Sequence, residues 1–168
     1  MIKITTQLTE KDYLRYVFKL AYSKVGRILL TIVGLIMLLS SIAYYLSSFM
    51  QSISEDTPYI PLFLGFFIVV GLPVIQYFET KKTFNTHQNL KEEMTYEFTD
   101  DLIKITGGSF KSEMQWDKLY KVKELKEWVL LYHSKAVANI IPKRDLESQI
   151  TEFRELVRKQ DIPHKLKK

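Results

Sequence analysis

The sequence predicts an α+β membrane protein: a two-helix transmembrane hairpin plus a cytoplasmic antiparallel β-meander closed by a C-terminal α-helix. Three observations carry that expectation. Two uncharged runs, residues 28–50 and 57–78, lie close together in the first half of the chain. From residue 91 onward the pattern changes to alternation of apolar and polar residues. Near the end, Leu146, Ile150, Phe153 and Val157 recur at the spacing of one helical face.

The uncharged runs come first in the argument. At about 1.5 Å rise per residue, roughly 20 helical residues cross a ~30 Å hydrocarbon core, and both runs reach that length. The first, "ILLTIVGLIMLLSSIAYYLSSFM", starts too late and runs too long for the apolar part of a signal peptide, and no small-residue cleavage site follows it. A buried helix of a soluble domain usually keeps a polar face, which neither run has. Only "QSISED" and its neighbours separate the two, so the expected arrangement is an antiparallel hairpin over 27–80, with spans 28–50 and 59–78 and an outside loop 51–58. Lys11, Arg15, Lys19, Lys24 and Arg27 precede it and Lys81 and Lys82 follow it, whereas the loop carries only Glu55 and Asp56. Positive charge stays on the cytoplasmic side, so both termini are expected there. Tyr44, Tyr45 and Tyr59 at one end and Tyr77 and Phe78 at the other fit interfacial aromatic belts. Ser40, Ala43 and Ser47 offer a small-residue face for helix contact, and Pro73 is a candidate kink. Neither span holds an ionisable residue of the kind that marks ion pathways, which points to an anchor rather than a transporter.

Charge and composition narrow the chemistry. The net charge of +5 falls in the regions flanking the hairpin, where anionic lipid headgroups lie within reach. In the C-terminal part the basic residues alternate with acids rather than clustering, which argues against nucleic acid as a partner. The chain has no cysteine, which excludes disulfides, zinc–thiolate sites and thiol nucleophiles.

Outside the hairpin, "IKITT" reads as a short strand. A helix follows, with Thr9 as N-cap and Asp12 three residues later. These make an N-terminal cytoplasmic segment, 1–26, in which Lys11, Arg15 and Lys19 share one helical stripe suited to lipid phosphates. Over 91–160, "EEMTYEF" alternates Met94, Tyr96 and Phe98 with polar residues, and Gly107-Gly108 reads as a hairpin turn. "SFKSEMQW" places Phe110, Met114 and Trp116 on one face. Three more short strands follow, and residues 161–168 form a basic tail.

Little in this pattern resembles catalysis. His87, His133 and His164 lack metal-ligand spacing, and Asp100-Asp101 reads as a turn that satisfies backbone groups. No phosphate-binding glycine loop or nucleophile elbow occurs, so the expectation is a non-enzyme without metal or cofactor. The stretch "NIIPKRDL" reads as a strand stopped by Pro142 and a helix capped by Asp145. Lys143 and Arg144 do not fit that reading, because a helix N-terminus disfavours positive charge. With Lys11, Arg15 and Lys19 they are the candidate residues for a lipid phosphate or an acidic partner.

The order of these features resembles the bacterial YcxB-like membrane proteins. The resemblance rests on "YEFTDDLIKI" and "SEMQWDKLYKVKELKEWVLLYHSKAVANIIPKRDL", above all on Tyr96-x-Phe98, Trp116-x-x-Leu119 and Ile141-Pro142-Lys143-Arg144, and extends over nearly the whole chain. It implies a C-terminal domain similar to bacterial pleckstrin-homology-like domains, a multi-pass protein of the bacterial plasma membrane, and no catalytic residues. The expected function is a binding module presented to a protein or an anionic lipid at the inner leaflet, the protein partner being unknown or a further copy of the chain. Two alternatives are an immunity protein against a membrane-active peptide or toxin, and a structural anchor or assembly subunit of an envelope complex.

Overall fold

The structure is a computed structural model and describes residues 1–51 and 59–167. Most of the loop between the apolar helices, with Ser54, Glu55 and Asp56, lies outside the described residues. The chain divides into two compact units, Met1–Asp12 with His87–Lys168, and Tyr13–Thr86.

In the first unit, β1 (Ile2–Gln7), β2 (Glu93–Phe98), β3 (Leu102–Thr106) and β4 (Lys111–Gln115) form one antiparallel sheet in that order. A second sheet runs β7 (Ala138–Pro142), β6 (Trp128–Tyr132), β5 (Lys121–Glu124), β8 (His164–Lys165), antiparallel except for the β5–β8 pair. The single meander read from the sequence is thus two sheets. The break falls at the 3-10 turn Trp116–Lys118, where the Trp116 indole N–H donates to the Thr99 carbonyl at 2.9 Å and its ring is buried.

Strand β1 shows how the sheet is specified. Its Ile2, Ile4 and Thr6 point inward and Lys3, Thr5 and Gln7 outward, the period-two pattern of a half-buried strand. It pairs with β2 so that Ile2 lies opposite Phe98 and Ile4 opposite Tyr96, which brings four inward residues together. They join Ile103 and Ile105 of β3, Val122, Val129, Leu131 and Ile141 of the second sheet, and Leu146, Phe153 and Val157 in one core. Phe98 is central, with its ring edge-to-face on Phe153 at 5.0 Å and stacked on Trp116 at 5.9 Å. The N-terminal strand therefore belongs to the C-terminal sheet, and part of the expected basic tail forms β8.

The closing helix α5 (Ile150–Lys159) starts later than the sequence suggests. Two single 3-10 turns, Lys143–Asp145 and Glu147–Gln149, precede it. The expected Asp145 cap is corrected, since the Asp145 carboxylate instead accepts the Thr6 hydroxyl at 2.5 Å. By contrast, the start of α1 (Glu10–Ala21) forms as the sequence suggests. The Thr9 backbone and hydroxyl donate to Asp12 at 3.1 and 2.5 Å, and the Asp12 N–H donates back to the Thr9 hydroxyl at 3.2 Å.

The second unit holds α2 (Val25–Gln51), α3 (Tyr59–Phe66) and α4 (Leu72–Thr86), with a π-helical turn, Phe67–Gly71, joining the last two. Arg27 donates to the Gln76 side chain at 3.2 Å, while Gly34 lies against Ile68 and Gly65 further along. This order makes α2 antiparallel to the segment from α3 to α4. The close approach is made by Gly34 and Leu38 against Gly65, and Ser41 is buried on the same helix. Ser40, Ala43 and Ser47, the expected contact face, are exposed, because sequence spacing marks a small-residue stripe without saying which stripe is covered. At the π turn the Leu72 N–H reaches the Phe67 carbonyl five residues back. Pro73 follows, with no N–H to offer the preceding turn, and a widened turn is one way a helix absorbs that loss.

Two outcomes test this architecture. Ile4→Ala should lower unit stability by about 3 kcal/mol, the usual cost of truncating a buried isoleucine. Denaturant titration followed by tryptophan fluorescence reads this, since both tryptophans lie in that unit; an unshifted midpoint would remove β1 from the sheet. In the other unit, an added Cβ at Gly65 would stand 2.8 Å from the Gly34 carbonyl oxygen and the Leu38 nitrogen, whereas one at Gly26 meets nothing within 4 Å. Gly65→Ala should therefore destabilise the helix pair and Gly26→Ala should be neutral or stabilising, by up to roughly 1 kcal/mol. Helical circular dichroism melts in micelles compare the two signs.

Candidate functional site

Of the five cations singled out by sequence, Lys11, Arg15 and Lys19 are exposed on α1. Lys143 and Arg144 have intramolecular partners, and with Asp145 they form a charged junction that ties four segments of the first unit together.

Glu124, the last residue of β5, has a fully buried side chain. Lys143 Nζ donates to its Oε1 at 2.5 Å, and Arg154 of α5 donates through Nη2 to Oε1 at 2.7 Å and through Nε to Oε2 at 3.0 Å. The Lys167 backbone N–H completes the shell at 2.9 Å to Oε2. Burial raises the affinity of this carboxyl for a proton, but the Arg154 and Lys143 hydrogen bonds, the Lys167 amide and the Lys143 charge outweigh it, and its pKa falls from the ordinary 4.5 to about 2. A buried charge is tolerable only when saturated in this way.

Arg144 grips Asp12 with both terminal nitrogens, Nη1 to Oδ1 and Nη2 to Oδ2, each at 2.8 Å. This two-pronged geometry is specific to the guanidinium. Burial again acts against the charged form, but the Arg144 and Thr9 hydrogen bonds prevail, and Asp12 falls from 3.8 to about 2. Asp145 beside it holds Thr6 of β1. The conflict noted in the sequence is thereby resolved. Residues 143 and 144 do not stand at the N-terminus of α5, and each cation neutralises a carboxylate brought to it by another strand or helix.

A second charged surface went unrecognised in the sequence. On β5, Lys121 and Lys123 alternate with buried Val122 and Glu124. The register places Lys123 directly opposite Lys165 and Val122 opposite His164. Lys121 Nζ stands 4.7 Å from the centroid of the Tyr132 ring, its cross-strand neighbour, and 5.4 Å from that of Tyr120. The alternation "KVKEL" hinted at the two β5 lysines. The contribution of Lys165 depends on a two-residue parallel pairing that has no periodicity to read.

An α+β protein with two long apolar helices and antiparallel sheets is the class defined by these features. A family model described as YcxB-like protein matches residues 98–157, the same family that the sequence resembles. The matched segment runs from the last residue of β2 into α5 and includes Glu124, Lys143, Arg144, Asp145 and Arg154 of the charged junction, but not Thr6, Asp12 or Lys167. No curated protein and no solved structure matches the chain.

Both depressed carboxyls have the same pH signature. Their contribution is complete above the unfolded values of 4.5 and 3.8 and is lost as pH falls through about 2. For Glu124 the shift corresponds to at most about 3 kcal/mol. Glu124→Gln should cost about 3–5 kcal/mol at neutral pH, because Lys143 and Arg154 lose their counter-charge. It should also flatten the acid dependence of unfolding between pH 4.5 and 2, seen by equilibrium denaturation across that window. An acid limb identical to the parent protein would exclude Glu124 as its source.

Proposed function

We propose that the chain is a non-enzymatic membrane-anchored binding protein of the bacterial plasma membrane, with the hairpin crossing twice and both termini cytoplasmic. The first unit is a pleckstrin-homology-like module that takes a protein segment or an anionic lipid at the inner leaflet. The observation that carries this reading is the exposure of the two apolar helices. The most apolar 18-residue windows of Val25–Ser47 and Tyr59–Thr86 have a mean hydropathy of 2.2 and 2.1, yet only 11% and 6% of those windows is buried. Core helices of soluble domains hide such surface. Exposed apolar area of this extent marks a membrane or partner interface.

The direction of crossing rests on the flanking cations, and the exposed stripe of Lys11, Arg15 and Lys19 supports contact with lipid phosphates. The module reading rests on the two antiparallel sheets, the closing helix and the family match.

The absence of native cysteine makes the topology directly testable. A cysteine at Ser54 should react with a membrane-impermeant thiol reagent in intact cells. One at exposed Ser134 should react only after the cells are opened. The reverse pattern would refute the orientation, and equal labelling of both in intact cells would refute the anchor. In nanodiscs, amide exchange over α1 should be slower with anionic than with zwitterionic lipid, and Lys11, Arg15 and Lys19 changed together to Gln should abolish that difference.

A further inference from the structure

The surface where β5 meets β8 gathers three like charges around one cavity. Several other cations of the unit meet a carboxylate, as in Lys3 with Glu97, Lys104 with Glu113, Lys143 with Glu124 and Arg144 with Asp12. Here Lys123 and Lys165 are directly opposed across the strand pair, with Lys121 two residues along the same face. Like charges held on neighbouring strands repel each other. None of the three lysines takes part in an ion pair among the described residues. The nearest carboxylate along the strand, Glu124, faces the interior and is saturated by Lys143, Arg154 and the Lys167 amide.

The local structure holds this arrangement in place. Lys121 is braced over the Tyr132 and Tyr120 rings, and Val122 donates its N–H to the Pro163 carbonyl at 3.0 Å, which fixes the tail against the strand. His164 donates from Nδ1 to the Ile162 carbonyl at 3.0 Å, which fixes its ring beside the strand. Together Lys121, Val122, Lys123, Pro163, His164 and Lys165 line an open cavity of about 220 Å³. That is below the roughly 300–1,000 Å³ of sites for drug-sized molecules, and suits a small anionic group.

We infer that this cavity is an anion site for a phosphate group, with Lys121, Lys123 and Lys165 as the charged donors. The phosphate belongs either to a free anion or to a lipid headgroup, and the chemistry at the protein is the same for both. The site involves none of the residues on α1 or at the charged junction, and it stands whether or not the apolar helices enter a bilayer.

The test uses the full chain in nonionic micelles at fixed ionic strength, with thermal unfolding followed by tryptophan fluorescence. The probes are inorganic phosphate and short-chain phosphatidylglycerol, with sodium chloride and short-chain phosphatidylcholine as controls. A saturable rise in melting temperature is expected with at least one phosphate probe and with neither control. A rise with both supports a site that reads a phosphate carrying net negative charge; a rise with inorganic phosphate only assigns a free anion, and one with phosphatidylglycerol only assigns a headgroup. Lys123→Gln with Lys165→Gln should weaken the apparent affinity at least tenfold. In the absence of anion the same variant should melt at or above the parent temperature, because the repulsion between the two lysines is relieved. No rise with either probe would overturn the proposal, as would an unchanged rise in the double variant or a fall in its anion-free melting temperature. Topology labelling at Ser54 and Ser134 reads the membrane arrangement separately, so either proposal can fail alone.

Discussion

The first unit depends on one long-range pairing, that of β1 with β2. The two strands are separated in sequence by the whole second unit, yet all six residues of β1 are in register with β2. Closing a loop of that length costs entropy, but the cost grows only logarithmically, and helical structure within the intervening segment shortens the path. The gain is local and large: Ile2 and Ile4 reach the Tyr96–Phe98 face, each contributing about 1.5–3 kcal/mol of burial, and β2 acquires a neighbour on its open edge. Folding of this unit therefore waits for chain on both sides of the apolar helices. The first strand to be made acquires its partner only after residues 13–86 have been synthesised.

The charged junction is a consequence of that pairing. Once β1 is in place, Thr6 and the start of α1 lie beside residues 143–145, and Arg144 and Asp145 find Asp12 and Thr6 there. Lys143 turns the other way, to Glu124. Three consecutive side chains thus tie the N-terminal segment, β5 and, through Glu124, α5 and the tail. Buried ion pairs contribute little net stability compared with an apolar substitute, since desolvation offsets most of the attraction. Their effect is asymmetric: removal of one partner leaves a charge with nothing to balance it. This junction constrains which segments meet more than it adds to the total.

Much of the fold was legible because periodicity reports which face of an element is buried. The alternation in "EEMTYEF", the Gly107-Gly108 turn, the capping box at Thr9 and Asp12 and the two apolar runs all correspond to observed features. What periodicity does not report is the partner. It marked "IKITT" as a strand but not its place beside β2, and it gave no sign that β4 and β5 belong to different sheets. It found small residues on α2 but not that Gly34 and Ser41 form the covered stripe. The site residues divide the same way. Lys143 and Arg144 stood out as charges at an expected helix N-terminus, but the helix starts at Ile150 and their partners lie at positions 124 and 12, beyond the reach of any local pattern. The family match, over 98–157, covers the segment where strand order and turn spacing are densest.

The two cationic clusters of the first unit show how charge can be assigned to different tasks within one small fold. At the junction each cation faces a carboxylate, and the geometry is closed by donors from several segments. Such a cluster has no spare capacity, and a ligand could enter only by competing with bonds that hold the unit together. At β5–β8 the donors outnumber local acceptors, the residues are exposed or half-buried, and the pairing that brings Lys165 to Lys123 is only two residues long. Three lysines held around one cavity without a carboxylate partner among the described residues are consistent with a negative group arriving from outside the chain.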